Sequence, residues 1–316
     1  MLSRGGLILV DRIRDHLDDP RSLRKGVDRG DLVKLRRGAF VETAFWRERS
    51  PREQHVLRAQ AVIAASKQHI VLCGVSAAAV WGMPIAGEWP TEVSVTDQWR
   101  GGGRSEPGVR RSASNFSTAR SEIVRGMMVT NLARTALDIA RSGNLATTAG
   151  SVDWALWRKN PDAVTKAELT EELDFMKPHH HSASMRRAVR FATSLSDSFG
   201  ESQARVGIHL LGFDAPELQA EFIDAQGRMF ADFFWRDRQQ IVEFDGKVKF
   251  TRQEWNSGDP GDVAWREKLR EDRLRKMGCG VARVLSSHVA DAAQLERLLS
   301  SAGIPRGGDG GAWREL

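Results

Sequence analysis

Two short apolar runs, Met229-Phe230-Ala231-Asp232-Phe233-Phe234-Trp235 and Gln240-Ile241-Val242-Glu243-Phe244-Asp245, are separated by four mostly polar residues. This spacing constrains the fold more than any other feature of the chain. Runs of this length, rich in aromatic and β-branched residues, read as strands, and a short link makes them an antiparallel hairpin. A two-residue turn at Asp237-Arg238 sets Asp232 directly opposite Glu243, with Cβ atoms ~4.5–5.5 Å apart on one face. Phe233, Trp235, Val242 and Phe244 then cover the other face with a core-quality surface. Facing carboxylates in an apolar hairpin repel, and proteins keep such pairs where a cation or a proton resolves them.

The neighbours extend this acidic set. Asp245 shares the face of Glu243 by strand alternation, and Gly246, Lys247 and Lys249 follow it. Glu201, on the helix expected before the sheet, is a fourth carboxylate. Oxygen-only ligands select a hard ion, Mg²⁺ or Mn²⁺, over zinc. Such an ion clamps a scissile phosphate and activates a water, while a lysine offsets charge in the transition state. The candidate catalytic set is therefore Glu201, Asp232, Glu243, Asp245 and Lys247, with Asp232, Glu243 and Glu201 as metal ligands. The competing reading is an exposed strand end with ordinary solvated carboxylates.

Around the hairpin, residues 196–302 read as a helix over Ser198–Leu211 and strands over Leu218–Asp224, Met229–Trp235 and Gln240–Asp245. A charged helix over Asp262–Met277, a strand over Gly280–Leu285 and a last helix over Ala290–Ser301 complete it. The order αβββαβα predicts a mixed sheet covered by helices. No glycine-rich phosphate loop precedes a helix, so a nucleotide-binding fold is unsupported.

The first fifty residues are different in character. Leu7–His16 reads as a short helix, Pro20–Gly30 as a second helix closed by glycine, and Leu32–Val41 as a hairpin turning at Arg36-Arg37-Gly38. Arg21, Arg24, Lys25, Arg29, Lys34, Arg36 and Arg37 are opposed only by Asp28 and Asp31. A basic helix followed by a basic hairpin is the layout of a winged helix-turn-helix on DNA. The alternative for a run of charges is a solvated face.

Residues 54–195 read as a mixed α/β middle domain with a structural or partner-binding role. Helices are expected over Gln54–Gln68, Ser76–Gly82, Asn131–Arg141 (with Asn131 as cap) and Ala149–Lys159, and strands over Ile70–Cys73 and Glu92–Thr96. Trp99–Pro107 reads as a glycine-rich basic loop. Three adjacent histidines, His179-His180-His181, cannot all converge on one ion from a regular element and read as a solvated loop. The whole chain is thus expected to be an α/β and α+β multidomain protein. Its divisions are a winged helix at 1–50, a middle domain at 54–195, an αβββαβ core at 196–302 and a tail at 303–316.

Composition narrows the function classes. The 316 residues include no tyrosine, which excludes nucleic-acid enzymes that work through a phosphotyrosine intermediate. Cys73 and Cys279 are the two cysteines, too few for a disulfide framework or a four-cysteine zinc site. With no apolar run near the ~18–20 residues of a membrane span and no signal-peptide core, the expectation is a reduced, cytoplasmic protein without a membrane partner. A net charge of +6 mildly favours a polyanionic partner.

Glu201, Asp232 with Glu243, and Val242-Glu243-Phe244-Asp245-Gly246-Lys247 resemble the PD-(D/E)xK nuclease superfamily, in its very-short-patch-repair-like branch. Glu267–Gly278 followed by Val281–Val284 is similar to that branch's charged helix and last strand. The resemblance implies a restriction-endonuclease-like core over about 100 residues. Ala231 stands in place of the motif proline, and Asp245 in place of the motif lysine, which moves the lysine role to Lys247 or Lys268. Arg29–Leu32 with Arg36–Val41, Val75–Pro84, and Thr130–Asp138 resemble antitoxins of the AbiEi type. That resemblance implies operator DNA as a partner, with a cognate toxin or a second subunit as a further one. Two functions follow as expectations. One is a Mg²⁺- or Mn²⁺-dependent DNA endonuclease. The other is an antitoxin-like transcriptional repressor carrying an inactive nuclease-like scaffold.

Overall fold

The computed structural model describes residues 6–9, 20–66, 69–96, 106–112, 120–176, 182–246 and 260–307. Among these residues the chain is mixed α/β, with twelve α-helices and three β-sheets. It forms two compact units, one of Met1–Ser142 with Ala167–Ser182 and one of Gly143–Lys166 with Ala183–Leu316.

The first unit begins with β1 (Leu7–Leu9), α1 (Pro20–Asp28), β2 (Leu32–Arg36) and β3 (Ala39–Glu42), whose strands form a sheet in the order β1-β3-β2. The hairpin turns at Gly38, where φ is +79°, a conformation open to glycine without strain. Leu7–Leu9 was expected to be helical and is a strand, pairing Leu7 with Val41 and Leu9 with Ala39. Three apolar residues gain more from ladder hydrogen bonds and from burying Leu7 on this edge than from one helical turn. Residues 10–16 of that expected helix lie outside the described residues.

Next come α2 (Thr43–Arg47), α3 (Pro51–Ala65), β4 (Val71–Leu72), α4 (Gly74–Trp81), β5 (Val93–Thr96), β6 (Val109–Ser112), β7 (Ser121–Val124), β8 (Met127–Thr130) and α5 (Leu132–Ser142). Ser50 and Glu53 form a capping box that starts α3 at Pro51, three residues before its expected start. Asn131 caps α5 as expected, its side-chain oxygen accepting from the Arg134 N–H at 2.8 Å. The strands make a sheet in the order β6-β5-β4-β8-β7. Its core joins Leu72, Val80, Val93, Val95 and Val129.

The second unit takes α6 (Leu145–Leu156) from the expected middle domain. After α7 (Lys166–Phe175), whose residues from Ala167 onward belong to the first unit, it takes α8 (Ser182–Phe191) from Ala183 onward as well. The region expected as one domain over 54–195 is therefore shared between the units. Leu145 and Ala149 of α6 and Phe191 of α8 share one apolar cluster with Ala204 and Val206, and a buried ion pair lies beside it. Arg205 donates to both oxygens of Asp153 at 2.9 and 3.1 Å and to the Phe191 carbonyl at 2.7 Å, tying α6 and α8 to the helix that follows.

That helix is α9 (Phe199–Leu210), followed by β9 (Glu217–Asp224), β10 (Gly227–Trp235), β11 (Gln240–Asp245), α10 (Pro260–Lys276), β12 (Gly280–Leu285), α11 (Ser286–Ala290) and α12 (Ala292–Ser301). The sheet order is β12-β11-β10-β9, with β12 parallel to β11 across the α10 crossover. Phe233, Trp235, Val242 and Phe244 do share one buried cluster, which also holds Ala204, Val206 and Leu295. On the other side Met229, Ala231, Phe234 and Ile241 pack with Leu274 of α10.

Candidate functional site

The hairpin register agrees with the expectation: Phe233 pairs with Val242, Phe234 with Ile241 and Trp235 with Gln240. The turn differs. Arg236–Arg238 form one turn of 3-10 helix, and Gln239 follows at φ +47°. Asp237 tolerates the positive φ a two-residue type I′ turn needs, but Arg238 does not favour it. The link grows by one residue on each side, which leaves the register unchanged.

Asp232 does not continue the ladder to Glu243. One of its oxygens accepts from the Phe244 N–H at 2.9 Å and the other from Gln219 Nε2 at 3.2 Å. The carboxylate thus does in the sheet what a strand carbonyl would have done. Glu201 sits in the first turn of α9, where Ser198 caps the helix by accepting the Glu201 N–H at 3.1 Å. Its Oε2 accepts from the Asp197 N–H at 2.8 Å and from Gln219 Nε2 at 3.3 Å. Burial and then the charge on Asp232 push the Glu201 carboxyl up to about 7.

Glu243 is buried and held by a guanidinium. Arg270 of α10 donates through Nη1 and Nη2 to Glu243 Oε1 at 2.7 and 2.6 Å. Burial raises this carboxyl, Arg270 pulls it back, and Asp232 raises it again. Asp245 lies beyond, 3.6 Å from Arg283, which also pairs with Glu271 at 2.8 Å. Four elements, α9, β10, β11 and α10, therefore bring Glu201, Asp232, Glu243 and a cation into one electrostatic cluster.

Other expected residues fall as follows. Lys247 lies outside the described residues, as do His179, His180 and His181. Lys268 is exposed, with Nζ 6.0 Å from the Trp265 ring. Arg21, Arg24, Lys25, Arg29, Lys34 and Arg37 are exposed on α1 and the hairpin of the first unit. Arg29 pairs with Asp31 at 2.9 Å. Arg36 is half-buried and pairs with Glu106 at 3.4 Å.

Gln219 and Arg270 contact these carboxylates and are residues that the sequence reading did not identify. Arg270 had a usable signal: it stands four residues before the fully buried Leu274, on the same helix face. Gln219 had little, since a glutamine between Leu218 and Ala220 looks like an outward strand residue.

No three or more of the described His, Cys, Asp and Glu side chains are grouped so as to hold a metal ion. In chemistry the donors still fit a hard divalent cation. They are carboxylates only, and burial first, then the Asp232 charge, raises Glu201. Glu201 and Asp232 would hold such an ion.

The chain matches no family model and no curated protein. The functional reading rests on the site itself. No described helix is long and apolar enough to cross a membrane.

Proposed function

We propose that the second unit is a PD-(D/E)xK-like nuclease domain, in which Asp232, Glu201 and Glu243 serve hydrolysis of DNA phosphodiester bonds with Mg²⁺ or Mn²⁺. The observation that carries this reading is the Gln219 bridge between Glu201 and Asp232, which gathers carboxylates from α9 and β10 at one point of the sheet. A bound divalent ion supplies charge to the scissile phosphate and a more acidic water. Burial and the Asp232 charge raise Glu201, a stress that a divalent ion held by the two carboxylates would relieve. Asp232 keeps its place through two N–H donors, and Asp245 adds negative charge at the end of β11. Lys247 is assigned the charge-stabilising role.

The exposed basic residues of α1 and the β2–β3 hairpin are assigned to DNA phosphates, in a winged-helix role. The cytoplasm suits the two buried, free thiols, Cys73 and Cys279. A second reading, an antitoxin-like repressor with a silent nuclease scaffold and a toxin partner, is favoured by the Arg270–Glu243 pair, which already neutralises one acidic residue. Incubating the full chain with supercoiled plasmid in Mg²⁺, Mn²⁺ or EDTA separates the two. Metal-dependent nicking or linearisation supports the nuclease, and intact plasmid under all conditions supports the repressor.

A further inference from the structure

We infer that Gln219 is a positioning residue whose amide holds Glu201 and Asp232 together as the cation-binding pair. This inference rests on the nuclease reading and adds to it a residue that no acidic motif contains.

Backbone geometry singles out the position. Among the described residues, three non-glycine residues have positive φ: Arg125, Gln219 and Gln239. Arg125 lies between β7 and β8 and Gln239 between β10 and β11, where turns call for that conformation. Gln219 lies inside strand β9 at φ +49°. L-residues adopt this conformation at a cost, and such costs persist where surrounding structure enforces them, often at functional sites.

The sheet around it is deformed in a matching way. β9 and β10 pair Ala220 with Ala231 and Leu218 with Phe233, leaving Gln219 and Asp232 facing each other without a ladder pair. In a regular strand residues two apart share a face. Here Ala220 and Ala231 belong to the cluster that contains Leu274, while Leu218 and Phe233 belong to the cluster that contains Val206. Both strands change face at this one position.

The amide orientation follows from its surroundings. Gln219 Oε1 accepts from Arg158 Nη2 at 3.4 Å, and Arg158 is itself 3.5 Å from Asp197. With the oxygen facing a guanidinium, Nε2 is left to the two carboxylates, and a flipped amide would set oxygen against oxygen. Glycine at this position would meet the conformational demand of the fold without strain. What glutamine adds is the bridge.

The test uses the full chain with Gln219→Gly, which relieves the backbone, and Gln219→Asn, which tolerates positive φ but carries a shorter amide. Melting temperature, Mn²⁺ affinity by calorimetry and plasmid cleavage are measured for each. The expected result is that Gln219→Gly melts no lower than wild type, while both variants bind Mn²⁺ at least tenfold more weakly. Unchanged Mn²⁺ affinity in both variants overturns the inference, whatever happens to cleavage, and so does a wild-type chain that binds no Mn²⁺. Glutamine-dependent Mn²⁺ binding without cleavage by wild type supports the positioning role and refutes the nuclease.

Discussion

Replacing Glu201 with glutamine removes a carboxyl that the fold holds under electrostatic stress, and the effect can be worked out from the site. Glu201 is 4% exposed, so solvent screens it little. Its folded-state value of about 7 lies above an ordinary 4.5. The folded chain therefore binds the proton more tightly than the unfolded chain, and stability falls as pH rises through this window. At about 1.4 kcal/mol per tenfold in proton affinity, the full loss above the window is about 3 kcal/mol. This is a ceiling, since Asp232 shares the stress. Glu201→Gln cannot lose a proton and keeps an oxygen for the Asp197 N–H. The variant should match wild type near pH 4.5, apart from a constant offset, and gain on it up to pH 8. Urea unfolding of both proteins in EDTA across that range measures the gain, which a slope of ~1–3 kcal/mol/M converts to a midpoint shift of at most about 1–3 M. Parallel pH profiles for the two proteins would refute the reasoning, because Glu201 would then be an ordinary carboxylate.

Arg270→Gln should destabilise the chain by about 2 kcal/mol above pH 7, by leaving the buried Glu243 without its partner. The loss should shrink as acid neutralises Glu243, a trend that thermal melts at pH 5 and pH 8 would check. In the first unit, changing Arg24, Lys25, Lys34 and Arg37 to alanine should flatten the dependence of DNA affinity on salt by ~0.9 per phosphate contact removed. Arg36→Ala should leave that slope unchanged, because Arg36 is paired with Glu106. Fluorescence anisotropy at several salt concentrations reads both.

Local pattern carried the sheet of the second unit a long way. Gln240–Asp245 and Gly280–Leu285 are strands over their expected spans, because short apolar runs bounded by turn residues and glycine leave few alternatives. The hairpin register was legible because the link is centred on Asp237-Arg238, and lengthening it by one residue on each side keeps that centre. Leu7–Leu9 was not legible: a three-residue strand has no period of its own and exists only by pairing with β3. Arg205 and Asp153, fifty-two residues apart, left no trace that would move α6 into the second unit. Of the site, Glu201, Asp232, Glu243 and Asp245 were each visible as acidic residues at strand or helix positions. Gln219 and Arg270 act through space, the first by a backbone conformation that no residue type announces. The face change at Gln219 and Asp232 also breaks the alternation on which strand reading depends.

The central claim is that Glu201, Asp232 and Glu243 form one hydrolytic site on DNA. Its most direct measurement is the cleavage rate of supercoiled plasmid by wild type and by Asp232→Asn, purified in parallel and assayed in Mn²⁺, Mg²⁺ and EDTA. The account predicts divalent-dependent cleavage by wild type, suppressed at least a hundredfold in Asp232→Asn and absent in EDTA. Equal cleavage by both proteins, or cleavage that survives EDTA, would contradict it.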